Sequence, residues 1–158
     1  MTSNAVGAAL ALLALAGCGG GESRPAATPG PAPEDGEGSV RILPESAVVA
    51  GSHGSWTIEW IAGASGLPEN GGVVLQVSPW WHWSPPQVRR PGFPGFTTVR
   101  SSNPQVGIDL AEAGVPMALV ARPTGGRLAS GDTLRFCYGD TTGGADGSLS
   151  RADSYAEP

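Results

Sequence analysis

From residue 39 onward, apolar and polar residues alternate in short segments, and this pattern limits the possible folds more than any other feature. The clearest example is Ser55–Ala62, where Trp56, Ile58 and Trp60 fall on one side. A period of two is typical of a strand with one buried face. Val73–Val77, Val106–Leu110 and Thr133–Tyr138 repeat this pattern, and Met117–Ala121 is a short apolar run. Weaker strands are expected at Val40–Leu43, Ala47–Ala50 and Phe96–Arg100.

The breaks between these segments are rich in glycine and proline, which favour turns. Within this part of the chain only Leu110–Ala113 could be helical, and Leu128–Asp132 is typical of a tight turn that enters a late strand. Many short strands at regular spacing predict an all-β fold. We expect residues 39–158 to form one antiparallel β-sandwich with an immunoglobulin-like architecture.

The start of the chain has a different character. Ala5–Gly17 is apolar, rich in alanine and leucine, and shorter than the roughly 20 residues that cross a bilayer as a helix. It ends in Leu15-Ala16-Gly17-Cys18, which resembles the lipobox of bacterial lipoproteins. The resemblance implies that residues 1–17 are a signal peptide, that cleavage precedes Cys18, and that Cys18 carries a lipid that anchors the protein to a membrane. Residues 1–17 lack the usual Lys or Arg. The alternative is a buried helix with an ordinary cysteine, but Gly19, Gly20 and Gly21 would end that helix without a cap.

Residues 18–38 follow as a spacer. The stretch contains several glycines and prolines, no aromatic residue and almost no bulky apolar side chain. Such a composition cannot bury enough surface to offset the entropy of ordering, so we expect a flexible linker behind the lipidated cysteine. A lipid-anchored domain in the cell envelope follows. In lipoproteins of enteric-type cells, a residue other than Asp after the lipidated cysteine usually permits the outer membrane. The resemblance, with Gly19 at this position, therefore favours the outer over the inner membrane, with the domain facing the periplasm or the cell surface.

Charge excludes one class of partner. The chain has a formal net charge of −5, and all of its positive residues are arginines. Without a basic patch to neutralise phosphates, nucleic acid is not an expected partner. If Cys18 is lipidated, Cys137 has no partner for a disulfide, and its strand position turns it away from the side of Leu134 and Phe136.

No constellation of catalytic residues stands out. His53 and His82 have no further His or Cys at the spacing of metal ligands. The loop at Asp140–Gly147 could offer oxygen ligands to calcium from Asp140, Thr142 and Asp146, but a closing glutamate is missing, and an ordinary loop is favoured. We therefore expect a protein that is not an enzyme, with no catalytic residues, no metal and no cofactor.

One cluster has the chemistry of a contact surface. Trp80, Trp81, His82 and Trp83 stand together between Pro79 and the pair Pro85-Pro86. In a strand, Trp80 and His82 would oppose Trp81 and Trp83, so one pair would lie outside the core. Exposed aromatic rings stack on sugars or on a protein partner. The alternative, which we favour at this point, is a hydrophobic lid over one end of the core.

Scattered motifs also resemble a bacterial family known as domain of unknown function 3604. They are Gly51-Ser52, Ser55-Trp56-Thr57, Gly71-Gly72, Trp81, Trp83, Gln87, Pro94-Gly95-Phe96, Tyr138-Gly139-Asp140, Gly143-Gly144, Ser150-Arg151-Ala152 and Tyr155-Ala156-Glu157.

In that family a β region of this kind precedes a PHP-like, metal-dependent hydrolase domain, and none of that domain's residues stand in this sequence. The tail departs from the family pattern at Asp153-Ser154-Tyr155. Two functions remain open: a lipid-anchored module that binds or scaffolds without catalysis, or the accessory N-terminal region of a truncated secreted hydrolase.

Overall fold

The computed structural model of this protein describes residues 37–80, 82–142 and 146–155. The predicted signal peptide, the lipidation site at Cys18, nearly all of the linker and Trp81 lie outside the described residues. The first strand begins at Gly38, one residue before the predicted start of the folded domain.

Almost all regular structure in these ranges is β. The strands are β1 Gly38–Leu43, β2 His53–Gly54, β3 Trp56–Ala62, β4 Val73–Gln76, β5 Thr97–Ser101, β6 Gly107–Glu112, β7 Ala118–Thr124, β8 Thr133–Tyr138 and β9 Ser150–Arg151. A short 3-10 helix at Asp146–Ser148 is the only helix in the described ranges, and no helix there is long and apolar enough to cross a membrane. The prediction of an all-β fold is confirmed.

The strands form three sheets, and every strand pairs antiparallel with its neighbours. The largest has the order β1-β3-β8-β5, a second has the order β4-β7-β6, and β2 pairs with β9 alone. The immunoglobulin-like arrangement of a sandwich stays a prediction. The two larger sheets do, however, share one hydrophobic core.

That core contains side chains from both larger sheets. Leu134 and Phe136 of β8 are almost fully buried and cluster with Ala121 of β7. The partly buried side chains that pack against this cluster are Ile58 and Trp60 of β3, Val73 and Leu75 of β4, Val99 of β5, and Ile108 and Leu110 of β6. Each fully buried Leu or Phe stabilises the fold by about 1.5–3 kcal/mol. The alternating residues of the sequence therefore converge where predicted.

A second, aromatic cluster closes one end of the sheets. It consists of Trp56 at the start of β3, Tyr138 at the end of β8, and Ala152 just after β9. Trp56 and Tyr138 lie directly opposite each other in the β3–β8 ladder. This end of the molecule also holds Trp83, so the aromatic segment of the sequence is built into it.

Two local predictions were wrong. Ala47–Ala50 is an exposed connection outside any strand, because Pro44 and the turn at Ala50-Gly51 leave it no neighbouring strand to pair with. Leu110–Ala113, the one possible helix, instead lies within and just after β6, where Leu110 pairs with Ala121. Whether each segment forms a strand depends on a neighbouring strand with which it can pair. A local sequence pattern does not show which segments pair.

Candidate functional site

The aromatic segment forms a turn, not an extended strand in which the rings would alternate. Pro79, Trp80 and His82 follow β4 in irregular backbone. His82 adopts a φ of 65°, a left-handed conformation that a residue other than glycine rarely takes. In an extended strand, Trp80 and His82 would oppose Trp81 and Trp83 because side chains alternate. The backbone here is not extended, so that reason does not apply.

The turn nevertheless separates its rings into exposed and packed ones. The Trp80 side chain is 78% exposed, which is far above the ordinary value for a tryptophan in a folded domain. His82 is also exposed, and its ring centroid lies 6.5 Å from that of Tyr155. Trp80, His82 and Tyr155 thus present three exposed aromatic side chains near one end of the molecule.

Trp83 points inward and acts as the predicted lid. Its ring meets Trp56 edge to face, with centroids 5.5 Å apart, and lies 6.5 Å from the ring of Tyr138. Edge-to-face pairs of this kind contribute about 0.5–1.5 kcal/mol beyond the area that they bury. The packing of Trp83 fits the lid interpretation, whereas for the exposed Trp80 and His82 a contact surface stays a prediction.

Hydrogen bonds fasten the turn on both sides. Before it, the Val77 N–H donates to the Met117 carbonyl at 2.9 Å. After it, Ser84 is buried, and its hydroxyl oxygen accepts the Arg151 N–H at 2.8 Å. The Tyr138 hydroxyl donates to the Ser84 carbonyl, and burial raises the pKa of Tyr138 to about 12. The turn is thus held by the folded sheets at its two ends.

The segment after the turn is also fixed by close contacts. The Gln87 side-chain oxygen accepts the N–H groups of Arg89 and Arg90, and its amide donates to the carbonyls of Arg90 and Phe93. Gly95 has a φ of +82°, and a Cβ there would stand 1.9 Å from the Pro85 carbonyl oxygen. Only glycine allows this approach, which brings the loop against the chain that carries Trp83.

An open apolar groove lies beside the aromatic turn, with a volume of about 260 Å³. Three rings line it, those of Trp56, Trp83 and Tyr138. The other lining residues are mostly aliphatic: Ile42, Ile58, Leu75, Val77, and the polar Gln76 and Ser78. The groove therefore runs between β1 and β3 of the larger sheet and β4 of the second sheet.

One wall of this groove is an uncovered part of the core face. Val40 and Ile42 of β1 lie opposite Trp60 and Ile58 of β3, so they project to the same side as these core residues. Even so, Val40 is 60% and Ile42 is 53% exposed. The second sheet ends at β4 and leaves the inner face of β1 open to solvent.

The remaining candidates from the sequence do not join this site as ligands or catalysts. His53 is an exposed residue of β2 opposite Arg151. Cys137 is half-buried, with its sulfur 3.5 Å from the Ser55 hydroxyl oxygen. Asp140 is buried. Its burial alone would raise the pKa, but hydrogen bonds from Thr98 and Thr142 lower it.

Those hydrogen bonds occupy both carboxylate oxygens of Asp140 inside the fold. Over the described ranges no group of three or more His, Cys, Asp or Glu side chains could hold a metal ion. The calcium alternative at Asp140–Gly147 falls partly on residues 143–145, which the structure does not describe.

Sequence reasoning missed two elements of the site. Tyr155 was noted only within the motifs compared with a family pattern, and its proximity to His82 depends on a long-range fold contact. The groove was missed because a linear pattern does not show that one sheet is narrower than the other. Comparison of the chain with family models, with curated proteins and with solved structures finds no match. The site is therefore interpreted from its own residues.

Proposed function

We propose that this chain is a lipid-anchored protein of the cell envelope whose β domain is a non-catalytic binding module. The exposed ring of Trp80, held on a fastened turn beside the apolar groove, is the observation that supports binding. The lipobox-like segment at Leu15–Cys18 supports the anchor. Together they describe a domain that stands off a membrane and captures a partner from the extracytoplasmic space.

The chemistry of the groove favours a protein partner over a glycan. A sugar site pairs a stacking ring with polar side chains that bond the hydroxyl groups, but the groove offers only Gln76 and Ser78 as polar side chains at its rim. The Tyr138 hydroxyl already donates to Ser84. Apolar side chains of a partner would fill such a groove with no unpaired polar group left behind.

The backbone at the groove supports the same choice. β4 is an end strand, and it contains no charged residue or proline that would discourage further pairing. The bond from Val77 to Met117 fixes the ladder, so the N–H and C=O groups of Val74 and Gln76 turn away from β7. An extended segment with apolar residues at alternate positions could pair with this edge and cover Ile42.

The second candidate is an accessory region of a longer PHP-like hydrolase, as the resemblance to domain of unknown function 3604 implies. The exposed core-side face of β1 favours it, because a further domain could cover Val40 and Ile42. In this case the groove is a contact between domains of one protein. The partner would then be a domain of the same polypeptide, and its contact with the groove would be apolar, as proposed for a separate protein partner.

Site-specific photo-crosslinking in cells tests the proposal. A photoreactive amino acid replaces Trp80 in the full chain, and a control variant carries it at Ser130. Ser130 is exposed in the turn before β8, at the opposite end of that strand from Tyr138. We expect a discrete adduct with an extracytoplasmic protein from position 80, and none from position 130.

The adduct from position 80 should be identified by mass spectrometry and should disappear when Ile42→Asp is added, because Ile42 lines the groove, is 53% exposed, and a charge there would exclude apolar side chains of a partner. Equal labelling from both positions would overturn the assignment of the contact surface. The absence of an adduct from position 80 under conditions where the protein is folded and exported would overturn the binding function itself.

A further inference from the structure

A row of charged side chains crosses the outer face of the four-stranded sheet, on the side opposite the core. Strand register places Arg41 of β1 opposite Glu59 of β3, Glu59 opposite Arg135 of β8, and Arg135 opposite Arg100 of β5. Directly opposite residues project to the same face. The row is therefore Arg-Glu-Arg-Arg in space, although its members are far apart in the sequence.

The row carries more positive than negative charge. Glu59 is only 3% exposed, because it accepts hydrogen bonds from both Arg41 and Arg135. Arg100 makes no ion pair with any carboxylate in the described ranges. The row thus contains three guanidinium groups and one carboxylate, which bonds only Arg41 and Arg135, on a chain whose formal net charge is −5.

The neighbours Arg100 and Arg135 form a like-charge pair across two strands. Such a pair destabilises a sheet, since the two side chains leave from Cβ atoms about 5 Å apart. The Arg135 guanidinium bonds Glu59 through one nitrogen at 2.8 Å, and its other N–H groups remain available. A negative group held between the two arginines would turn this repulsion into attraction on both sides.

A concave space for such a group exists at this position. A pocket of about 190 Å³ is lined by Arg100, Ser101, Ser102, Thr133 and Arg135. The Ser102 hydroxyl oxygen accepts the Thr133 N–H at 2.8 Å, so the proton of that hydroxyl is free to be donated. The pocket therefore combines two guanidinium groups with a hydroxyl donor, which is the donor set that oxyanions prefer.

The nearby carboxylates are engaged elsewhere. One oxygen of Asp132 accepts hydrogen bonds from the Ala129 N–H in its own turn and from the Asn103 amide in the connection after β5. Asp140 accepts a hydrogen bond from Thr98, two residues before Arg100 in β5; the positive charge of Arg100 also helps to lower the pKa of Asp140, but the two side chains form no ion pair. Neither carboxylate lines the pocket.

We infer that the pocket between Arg100 and Arg135 binds an oxyanion group, such as a phosphate or a sulfate. Arg100 supplies a guanidinium group that forms no ion pair within the described residues, Arg135 supplies N–H donors oriented by Glu59, and Ser102 supplies a neutral donor. The site is on the outer face of the larger sheet and does not include any residue of the aromatic turn or the groove. It goes beyond the proposed binding function, and neither depends on the other.

The test uses the full chain with Cys18→Ala, which removes the proposed site of lipid attachment. Inorganic phosphate, and separately inorganic sulfate, are added at constant ionic strength maintained with chloride. The side-chain Nε–H resonances of the arginines are followed by NMR. We expect saturable shifts of the Arg100 and Arg135 resonances, and no comparable shift at Arg122, an exposed residue of β7.

The matched variants are Arg100→Gln and Arg122→Gln. Loss of one charge-assisted bond should weaken phosphate binding about tenfold or more in Arg100→Gln. Arg122→Gln should bind as the parent does. Linear, non-saturating shifts, or equal binding by both variants, would overturn the site. An unchanged amide spectrum away from the pocket shows that Arg100→Gln remains folded.

Two sources could supply the oxyanion, and a second arm separates them. The same proteins are sedimented with vesicles of phosphatidylglycerol and with vesicles of phosphatidylcholine. If the protein sediments with phosphatidylglycerol vesicles but not with phosphatidylcholine vesicles, and Arg100→Gln does not sediment with either, the ligand of the site is a lipid headgroup. Protein that titrates with phosphate but stays in the supernatant supports the site with a soluble phosphate or sulfate as its ligand.

Discussion

The rings of Trp56 and Trp83 meet edge to face with their centroids 5.5 Å apart, and this contact joins the aromatic turn to the folded sheet. Trp56 begins β3 and is buried, whereas Trp83 arrives from a turn that belongs to no strand. The contact explains how a segment with an exposed tryptophan can be held in place. The turn has one ring inside the fold, and Trp80 remains outside it.

Removal of the inner ring of this pair should destabilise the protein strongly. Trp56→Ala leaves a cavity beside Tyr138 and should lower the free energy of unfolding by about 3–5 kcal/mol. Trp83→Ala should cost less, about 1–3 kcal/mol, because Trp83 is only half-buried. Urea denaturation measures both values. If Trp83→Ala were neutral, the packing of the turn against β3 would be wrong.

Glu59 should make the stability of the protein sensitive to acid. Its hydrogen bonds with Arg135 and Arg41 hold the pKa of Glu59 below its ordinary value of 4.5. A carboxyl group with a lowered folded-state pKa stabilises the fold above pH 4.5, and this contribution is lost as the pH falls through the folded-state value.

Glu59→Gln should therefore be less stable than the parent at neutral pH and should lose less stability between neutral pH and acid. The measurement is the urea midpoint as a function of pH. Glu112→Gln is the matched control, because its ion pair with Arg89 is exposed and should contribute little. Identical pH profiles for the parent and Glu59→Gln would contradict the role of the Arg41–Glu59–Arg135 group.

Tyr138 should make stability fall at alkaline pH. Burial raises its pKa from 10.0 to about 12, so the unfolded chain loses this proton before the folded chain does. The contribution is complete below pH 10 and is lost as the pH rises toward 12. Spectrophotometric titration of the phenols should show a step near pH 12 that is absent in Tyr138→Phe. A step at the ordinary value would mean that the ring is solvated.

Cys18 should determine where the protein resides. Acyl chains supply most of the attachment of a lipoprotein, so Cys18→Ala should move the protein out of the membrane fraction. Labelled fatty acid should enter the parent and the Cys137→Ala control but not Cys18→Ala. Equal incorporation in all three proteins would show that the lipobox interpretation of Leu15–Cys18 is wrong.

The sequence predicted the strands well wherever a segment alternates and one of its faces is buried. Thr133–Tyr138 was predicted with the bounds of β8, because Leu134 and Phe136 occupy the core and Cys137 points away from it. Ala47–Ala50 is also apolar, but it has no partner strand. Pairing partners are long-range properties, and a local pattern contains no information about them.

The candidate site was predicted in part. The sequence indicated that some of the Trp80–Trp83 rings would lie outside the core, and Trp80 and His82 do. It gave the wrong reason, because the left-handed backbone at His82 replaces strand alternation. The groove and the arginine row depend on sheet width and on register between distant strands. Neither can be obtained from residues taken in chain order.

The most direct test of the central claim is the solvent accessibility of Trp80, measured together with its contribution to stability. Acrylamide quenching of tryptophan emission should fall markedly in Trp80→Phe, because this ring is 78% exposed. The urea midpoint of Trp80→Ala should remain within about 0.5 kcal/mol of the parent value. Such a result shows that the ring of Trp80 is exposed to solvent and does not contribute to the stability of the fold. If quenching were unchanged and Trp80→Ala lost more than about 2 kcal/mol, Trp80 would be part of the core, and the contact surface proposed for this protein would not exist.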